Sequence, residues 1–497
     1  MKRKLTLSFL LLFATSLLAQ PESPFLEGES GYSFVTHSLK IAGSTLEYDT
    51  WTGYLPMRDE AGELKANVFF VYYRKKGERA EKRPITFTFN GGPGSSSVWL
   101  HMGGLGPRRI LMDQDGASLA PPYEIVDNPH TWLTHTDLVF IDPMMTGFTR
   151  PAEGVDKKEF LGYEEDIRLV GDFIRLFTTR AQRWASPKFL AGESYGTTRA
   201  SGLSGYLQKR HGMYLNGLML ISAVLDFSTI RYAENNDKPN LLIFPTMAAT
   251  SRFHGMAGKS DQSLAEFLQE VETFTQNEYS LALLKGDQLS EAEKKALADK
   301  MATYTGLSPQ FIQQSNFRLQ VGPYNKELLR DKSGETVGRL DSRFKSYDYK
   351  DAGERYEFDP SYNATIYGPF TTAINDYVAR ELGYQNDLPY EILTGRARPW
   401  NYSNVQNRYL DVSQTLREAM TQNPYLKVWV ANGYYDMATP YYATEHTLNH
   451  MFLKPQLKEN IRLTYYEAGH MMYIDLPSLE QFAKDVRSFV EWGSGQE

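Results

Sequence analysis

Residues 189–196 read Phe189-Leu190-Ala191-Gly192-Glu193-Ser194-Tyr195-Gly196. Three apolar residues run into a Gly-x-Ser-x-Gly pentapeptide, and a stretch with helix character follows. That order describes a short buried strand, a sharp corner and a new helix. The glycines permit the turn that leaves the Ser194 hydroxyl exposed, and the N-terminus of the new helix favours negative charge beside it. Small residues also collect at ordinary turns, so the pentapeptide alone decides little. Its surroundings carry the weight.

Similar apolar runs recur on both sides: 85–89, 138–141, 218–223 and 428–431. Short runs bounded by turn or helix signals suit strands buried on both faces of a mixed or parallel sheet. Helical patterns alternate with them. Tyr163, Ile167, Val170, Ile174 and Phe177 recur at helical spacing before the Phe189 strand, and Leu479, Phe482, Val486 and Phe489 do so near the C-terminus. Ser478 and Gln481 form a capping-box pattern that places the start of this last helix at Ser478. Alternating, β-rich stretches at 45–54 and 66–73 read as early antiparallel strands. The chain is therefore expected to be α/β, with a central mixed, mostly parallel sheet covered by helices on both sides. The strand rhythm stops near Asp226 and resumes at Val428. Between them the sequence is polar and helix-rich, as in 260–274 and 290–304, with tyrosine-rich irregular stretches. This predicts a core formed by 31–229 and 411–497, with 230–410 inserted as a largely helical lid.

A serine hydroxyl attacks only when a nearby base takes its proton. On a strand–corner–helix scaffold the chain order is serine, acid, histidine. Four histidines lie well downstream: His254, His446, His450 and His470. His254 falls in the inserted segment, and His446 and His450 fall in a helical stretch. His470 follows the β-rich run 461–466 and sits in a loop, so it is the expected base. Asp436 follows the run 427–431 and is the expected orienting acid, although a helix cap near Pro440 would also use it. Asp475 is a weaker rival, because it lies only five residues beyond His470. An oxyanion needs two backbone donors. One is the N–H of Tyr195, and the other is expected from the glycine-rich loop Asn90-Gly91-Gly92-Pro93-Gly94-Ser95-Ser96-Ser97. That loop lacks the lysine and spacing of a nucleotide P-loop.

Composition narrows the setting. The chain has 497 residues, 41% apolar and 23% charged, which are ordinary values for a globular protein. Net charge is −7 with both signs interspersed, and no basic run tracks a phosphate backbone, so nucleic acid is not an expected partner. There are no cysteines, which removes disulfides, thiolate metal sites and thiol catalysis. No cofactor or metal is expected. Lys2, Arg3 and Lys4 precede an apolar stretch at 5–18 and a small residue, Ala19. This predicts a signal peptide over 1–19, with no stable membrane insertion once it is removed. Export without disulfides favours a bacterial periplasmic or secreted protein.

With these motifs in order, the chain resembles the serine carboxypeptidase family. That family's hallmarks are an N-G-G-P-G loop, a G-E-S-Y-[AG]-G corner and a late A-G-H-M segment, here at Asn90–Gly94, Gly192–Gly196 and Ala468–Met471. Asn128-Pro129-His130-Thr131-Trp132, Asp142-Pro143 and Gly147-Phe148 extend the likeness. The resemblance implies an α/β-hydrolase fold and a bacterial-type serine carboxypeptidase that releases C-terminal residues from peptides through an acyl-enzyme. It implies a triad of Ser194, Asp436 and His470, and an oxyanion hole at Gly92 and Tyr195. It further implies that Asn90 and Glu193 hydrogen-bond the substrate's terminal carboxylate. Glu193 could do so only when protonated, because two carboxylates in contact repel, so peptide cleavage is expected to favour acidic pH.

Three positions depart from the family. Ser95 stands where a cysteine is usual, Thr88 where a tryptophan is common, and Gly104 where a second glutamate often precedes Leu105-Gly106-Pro107. The last change predicts weaker carboxylate recognition, or help from a cation such as Arg108, Arg109 or Arg199. It keeps an esterase or acyltransferase on the same scaffold as an alternative. A non-catalytic binding protein is a third reading, opposed by the complete set of motifs.

Overall fold

The computed structural model describes residues 32–258 and 261–495, so the leader expected over 1–19 lies outside the described residues. One large twisted sheet organises the molecule. Along its main path run β1 (Ser33–Ile41), β2 (Ser44–Arg58), β3 (Leu64–Lys75), β4 (Ile85–Phe89), β5 (Asp137–Ile141), β6 (Lys188–Ser194), β7 (Gly217–Ala223), β8 (Lys427–Gly433) and β9 (Ile461–Tyr466). Their spatial order is β1-β2-β3-β5-β4-β6-β7-β8-β9, with the short strand Arg150–Pro151 beside β3. The first three strands and the β3–β5 pair are antiparallel; from β5 to β9 every pairing is parallel. This is an α/β-hydrolase fold.

The continuous apolar runs have a direct cause. In β7, Leu218 and Leu220 enter one buried cluster while Met219 and Ile221 enter the other, on the opposite face. Val428 and Val430 against Trp429 and Ala431 repeat the pattern in β8. Neighbouring side chains of a strand point to opposite faces, so a strand covered on both sides must be apolar throughout. Helices α1 (Tyr163–Arg180) and α2 (Tyr195–His211) cover one face through Phe173, Phe177, Leu203 and Leu207. The C-terminal helix, Leu476–Gly493, covers the other through Leu479, Phe482, Val486 and Phe489.

That helix starts two residues earlier than the Ser478–Gln481 pattern predicts. Asp475 caps it, accepting the Ser478 N–H at 3.0 Å, and Pro477 fits the first turn because its missing N–H would have no helical partner. Capping boxes do occur at Ser263–Glu266 and Ser290–Glu293, which start the helices Leu264–Phe274 and Glu291–Thr305.

All strands of the large sheet come from residues 33–223 and 427–466. The intervening chain packs in three ways, and its two ends, with Phe227, Ala397, Leu410 and Leu416, join the cluster under α1 and α2. Residues between Ile243 and Val337 build a core of their own, joined by Tyr435, Met437 and Tyr441. Residues between Ile366 and Ile392 instead pack into the cluster beneath the C-terminal helix. No helix among the described residues is long and apolar enough to cross a membrane.

Candidate active site

Ser194 ends β6 and caps α2, with φ 60° and ψ −128°. A non-glycine residue at positive φ is held there against a cost of about 1–3 kcal/mol. What holds it is close packing. A Cβ at Gly192 would collide with the Gly196 carbonyl, and one at Gly196 would meet the Phe89 carbonyl oxygen at 2.7 Å. Thr197 ties the corner to the end of β7, donating to the Ser194 carbonyl at 2.6 Å and accepting the Val224 N–H at 2.9 Å.

Asp436 follows β8 and His470 follows β9, two adjacent parallel strands, so their loops emerge at the same edge as the corner. Their side chains meet, with His470 Nδ1 2.7 Å from Asp436 Oδ2. Asp436 is fully buried and its other contacts are all donors: the N–H groups of Ala438 and Thr439 at 2.8 and 3.0 Å, and the Thr439 hydroxyl at 2.6 Å. It thus orders the turn before the helix Tyr441–Asn449 as well as facing the imidazole. The His470 backbone is pinned too, its N–H donating to Leu340 and its carbonyl accepting from Ser222. Burial alone would push the imidazole pKa down, but the Asp436 charge and hydrogen bond carry it above its ordinary value.

The 90–97 loop rests against the nucleophile corner. A Cβ on Gly91 would meet the Gly196 nitrogen at 2.7 Å, so only glycine permits this approach. Gly92 and Tyr195, the two expected oxyanion donors, consequently line the same cavity as Ser194 and His470.

Asn90 and Glu193 form the floor. The Asn90 amide donates to Glu193 Oε1 at 2.8 Å, and its oxygen accepts the Leu100 N–H at 3.1 Å. Glu193 is 2% exposed, and burial raises its pKa from 4.5 to about 7, against the opposing pull of His470 and of the Tyr473 hydrogen bond. Tyr473 is the residue that sequence reasoning missed. Its hydroxyl donates to Glu193 Oε2. Its ring lies over Gly103 and Gly104, and a Cβ at Gly104 would meet the Tyr473 Cβ at 2.8 Å. In the space that the glutamate of the resembled family would take, a tyrosine from the opposite end of the chain packs and supplies the donor. The adjacent glycines Gly103 and Gly104 were the available signal that something bulky packs there.

The cations expected to assist are elsewhere. Arg199 is fully buried, donating to Asp166 at 2.7 Å and to the Asn90 carbonyl at 2.6 Å, so it anchors the loop's backbone. Arg108 pairs with Asp127 and Glu381. Arg109 lies in the short strand Arg108–Ile110, and none of the three lines the cavity. Asp475, the rival acid, pairs with Arg343 besides capping its helix. His254 bonds the Ser342 carbonyl, and the His446 and His450 rings lie 3.9 Å apart at the end of a helix. Among the described residues, no group of three or more histidine, aspartate or glutamate side chains is arranged to hold a metal.

The cavity has a volume of about 740 Å³, and its wall mixes the corner loops with residues of the intervening segment, among them Tyr232, Ile243, Val321 and Tyr362. A family model described as serine carboxypeptidase matches residues 42–472. Carboxypeptidase Y of Schizosaccharomyces pombe is 30% identical over 190 residues, 36% of this chain and 17% of that protein. Carboxypeptidase Y of Saccharomyces cerevisiae is 29% identical over 161 residues, 31% and 27% of the two chains. These alignments span well under half of the relatives' length. In three dimensions the chain is similar to Kex1, a prohormone-processing carboxypeptidase from Saccharomyces cerevisiae, with a TM-score of 0.56 and 16% identity over 90% of this chain and 91% of that one.

Proposed function

The chain belongs to the serine carboxypeptidase family, and from that premise we propose that it is a serine-type carboxypeptidase acting on the C-terminal residue of peptides. Ser194 Oγ attacks the last peptide carbonyl while His470 Nε2 takes its proton. Asp436 keeps the imidazole in the tautomer with its proton on Nδ1 and stabilises the imidazolium. The N–H groups of Gly92 and Tyr195 receive the oxyanion. His470 then returns the proton to the departing amine, leaving an acyl-enzyme that water resolves by the same route. Asn90 and protonated Glu193 hold the terminal carboxylate.

The observation that carries this reading is the Asn90–Glu193–Tyr473 floor. A carboxyl group buried beside a nucleophile, with a pKa near neutrality, is suited to receiving another carboxylate while it keeps its own proton. The cavity wall drawn from 229–243, 321–366 and 393–398 supports reading the segment 230–410 as a lid that shapes side-chain preference. The basic, then apolar N-terminus and the absence of cysteine favour an exported bacterial-type member, periplasmic or secreted.

Paired substrates test the proposal. An N-blocked dipeptide should be cleaved far faster than its C-terminal amide, and a fluorophosphonate should label Ser194. Gly104 favours a second reading, an esterase or acyltransferase, which predicts labelling without any preference for the free acid. Absence of labelling in folded protein would leave only a binding function.

A further inference from the structure

The chain carries a net charge of −7, yet the cavity around Ser194 is positively lined. Arg231, Arg339 and Arg398 all stand on its wall and all are exposed. Among the described residues, its only acidic side chain is Glu193, at the floor and neutral when protonated. Among the described residues, none of the three arginines has an ion-pair partner, whereas Arg108, Arg183, Arg199 and Arg343 are all paired. Asp341, two residues beyond Arg339, pairs with Arg343 instead, and Asp359 spends its Oδ1 on the N–H groups of Arg339 and Ser361 and on the Ser361 hydroxyl.

Two of these arginines connect to different parts of the site. The Arg231 guanidinium lies 5.5 Å from the centre of the Phe227 ring, and that ring packs edge-on against Tyr195 at 6.3 Å. Two ring contacts thus link Arg231 to the residue that follows the nucleophile. Arg339 is fixed beside the base. Its carbonyl accepts the Met437 N–H, the carbonyl of its neighbour Leu340 accepts the His470 N–H, and its charge is close enough to lower the His470 pKa. His470 protonates the leaving amine, which places Arg339 next to the released residue. Arg398 adds a third charge at the rim formed with Thr394 and Gly395.

Unneutralised guanidinium groups at the mouth of a low-dielectric cavity concentrate anions and offer a carboxylate a two-pronged hydrogen bond. We infer that this site selects peptides carrying a carboxylate side chain on a residue flanking the scissile bond, glutamate or aspartate at the last or penultimate position. The inference rests on the carboxypeptidase reading and specifies its substrate class.

The test compares isosteres, so that only charge differs. Acyl-Phe-Glu against acyl-Phe-Gln probes the last position, and acyl-Glu-Leu against acyl-Gln-Leu the penultimate one, at about pH 6, where the side-chain carboxyl is ionised. In at least one pair the glutamate peptide should show a kcat/KM about tenfold higher. That ratio should shrink between roughly 0.05 and 0.5 M salt, since these charges are solvent-accessible. Arg339→Gln should collapse the ratio at the last position, and Arg231→Gln should reduce it in whichever pair shows it, with fluorophosphonate labelling to confirm an assembled site. Ratios of one or below in the unmodified protein overturn the inference while leaving the carboxypeptidase reading intact. Equal losses on glutamate and glutamine peptides in the variants also overturn it, because the arginines would then be serving the main-chain carboxylate. Failure to cleave any free-acid peptide overturns both.

Discussion

The floor of the cavity makes a quantitative claim about pH. Glu193 can accept a substrate carboxylate only with its own proton in place, and burial sets that proton's loss at about pH 7. Each pH unit above this lowers the protonated fraction about tenfold, so at pH 9 about 1% remains. The useful quantity is the ratio of kcat/KM for a free-acid dipeptide to that for its amide. Titration of His470 affects both substrates and cancels. In the unmodified protein this ratio should fall by up to about 50-fold between pH 7 and 9. In Glu193→Gln it should stay level, because a carboxamide is neutral throughout and fits the same partners: its oxygen accepts from Asn90, and its NH2 faces the Tyr473 hydroxyl. Tyr473→Phe removes a donor to the ionised carboxylate. Hydrogen bonds to charged groups contribute about 1.5–3 kcal/mol, equivalent to about one to two pH units, so the fall should move up towards about pH 8 to 9. Stopped assays with both substrates across this range decide the matter. A ratio that stays level in the unmodified protein, or one that falls identically in Glu193→Gln, refutes the role given to this carboxyl.

Other consequences are open to direct measurement. Asp436→Asn should keep the fold but reduce turnover by roughly 10⁴-fold, because the amide favours the wrong imidazole tautomer; steady-state rates and circular dichroism check this. Arg199→Met leaves Asp166 buried without its charge partner and frees the Asn90 carbonyl, so unfolding in urea should register a loss of about 3–5 kcal/mol. Glu193 should also weaken the fold as pH rises. Its folded pKa of about 7 exceeds the unfolded 4.5, so the folded state binds more protons between those values and stability drops by roughly 3 kcal/mol across them. Glu193→Gln should remove most of that drop. Gly104→Glu, which restores the residue usual in the family, should destabilise by about 1–3 kcal/mol, since Tyr473 occupies the space a side chain would need.

The sheet was legible because burial on both faces leaves no polar alternation to obscure it. The runs at 85–89, 138–141, 218–223 and 428–431 each fall within a strand. The corner was legible for a steric reason: only small residues fit where Gly91, Gly192 and Gly196 pack backbone to backbone. What escaped was contact between distant segments. Tyr473 and Glu193 are 280 residues apart, and no periodicity links them. Arg108, Arg109 and Arg199 were attractive as substrate ligands because they lie near the motifs in sequence, but a buried arginine takes the nearest carboxylate, and Asp166 captured Arg199. Arg231, Arg339 and Arg398 lie in the segment of weakest pattern, where nothing in the sequence distinguishes an arginine on a cavity wall from one on an ordinary surface.

The two titrating groups of the site make opposite demands. Catalysis needs His470 without a second proton, whereas carboxylate binding needs Glu193 with one. Each charge favours the other's charged form, since ionised Glu193 raises the His470 pKa and protonated His470 lowers that of Glu193. With one proton shared between them, the empty site therefore divides between a productive arrangement and an ion pair. An arriving carboxylate resolves the division. It repels ionised Glu193, which forces the proton onto Glu193 and leaves the imidazole free to act as a base. An amide exerts no such repulsion. The discrimination between acid and amide should accordingly show in kcat as well as in KM below about pH 7, and Glu193→Gln, which has no proton to place, should retain the KM component while losing the kcat component.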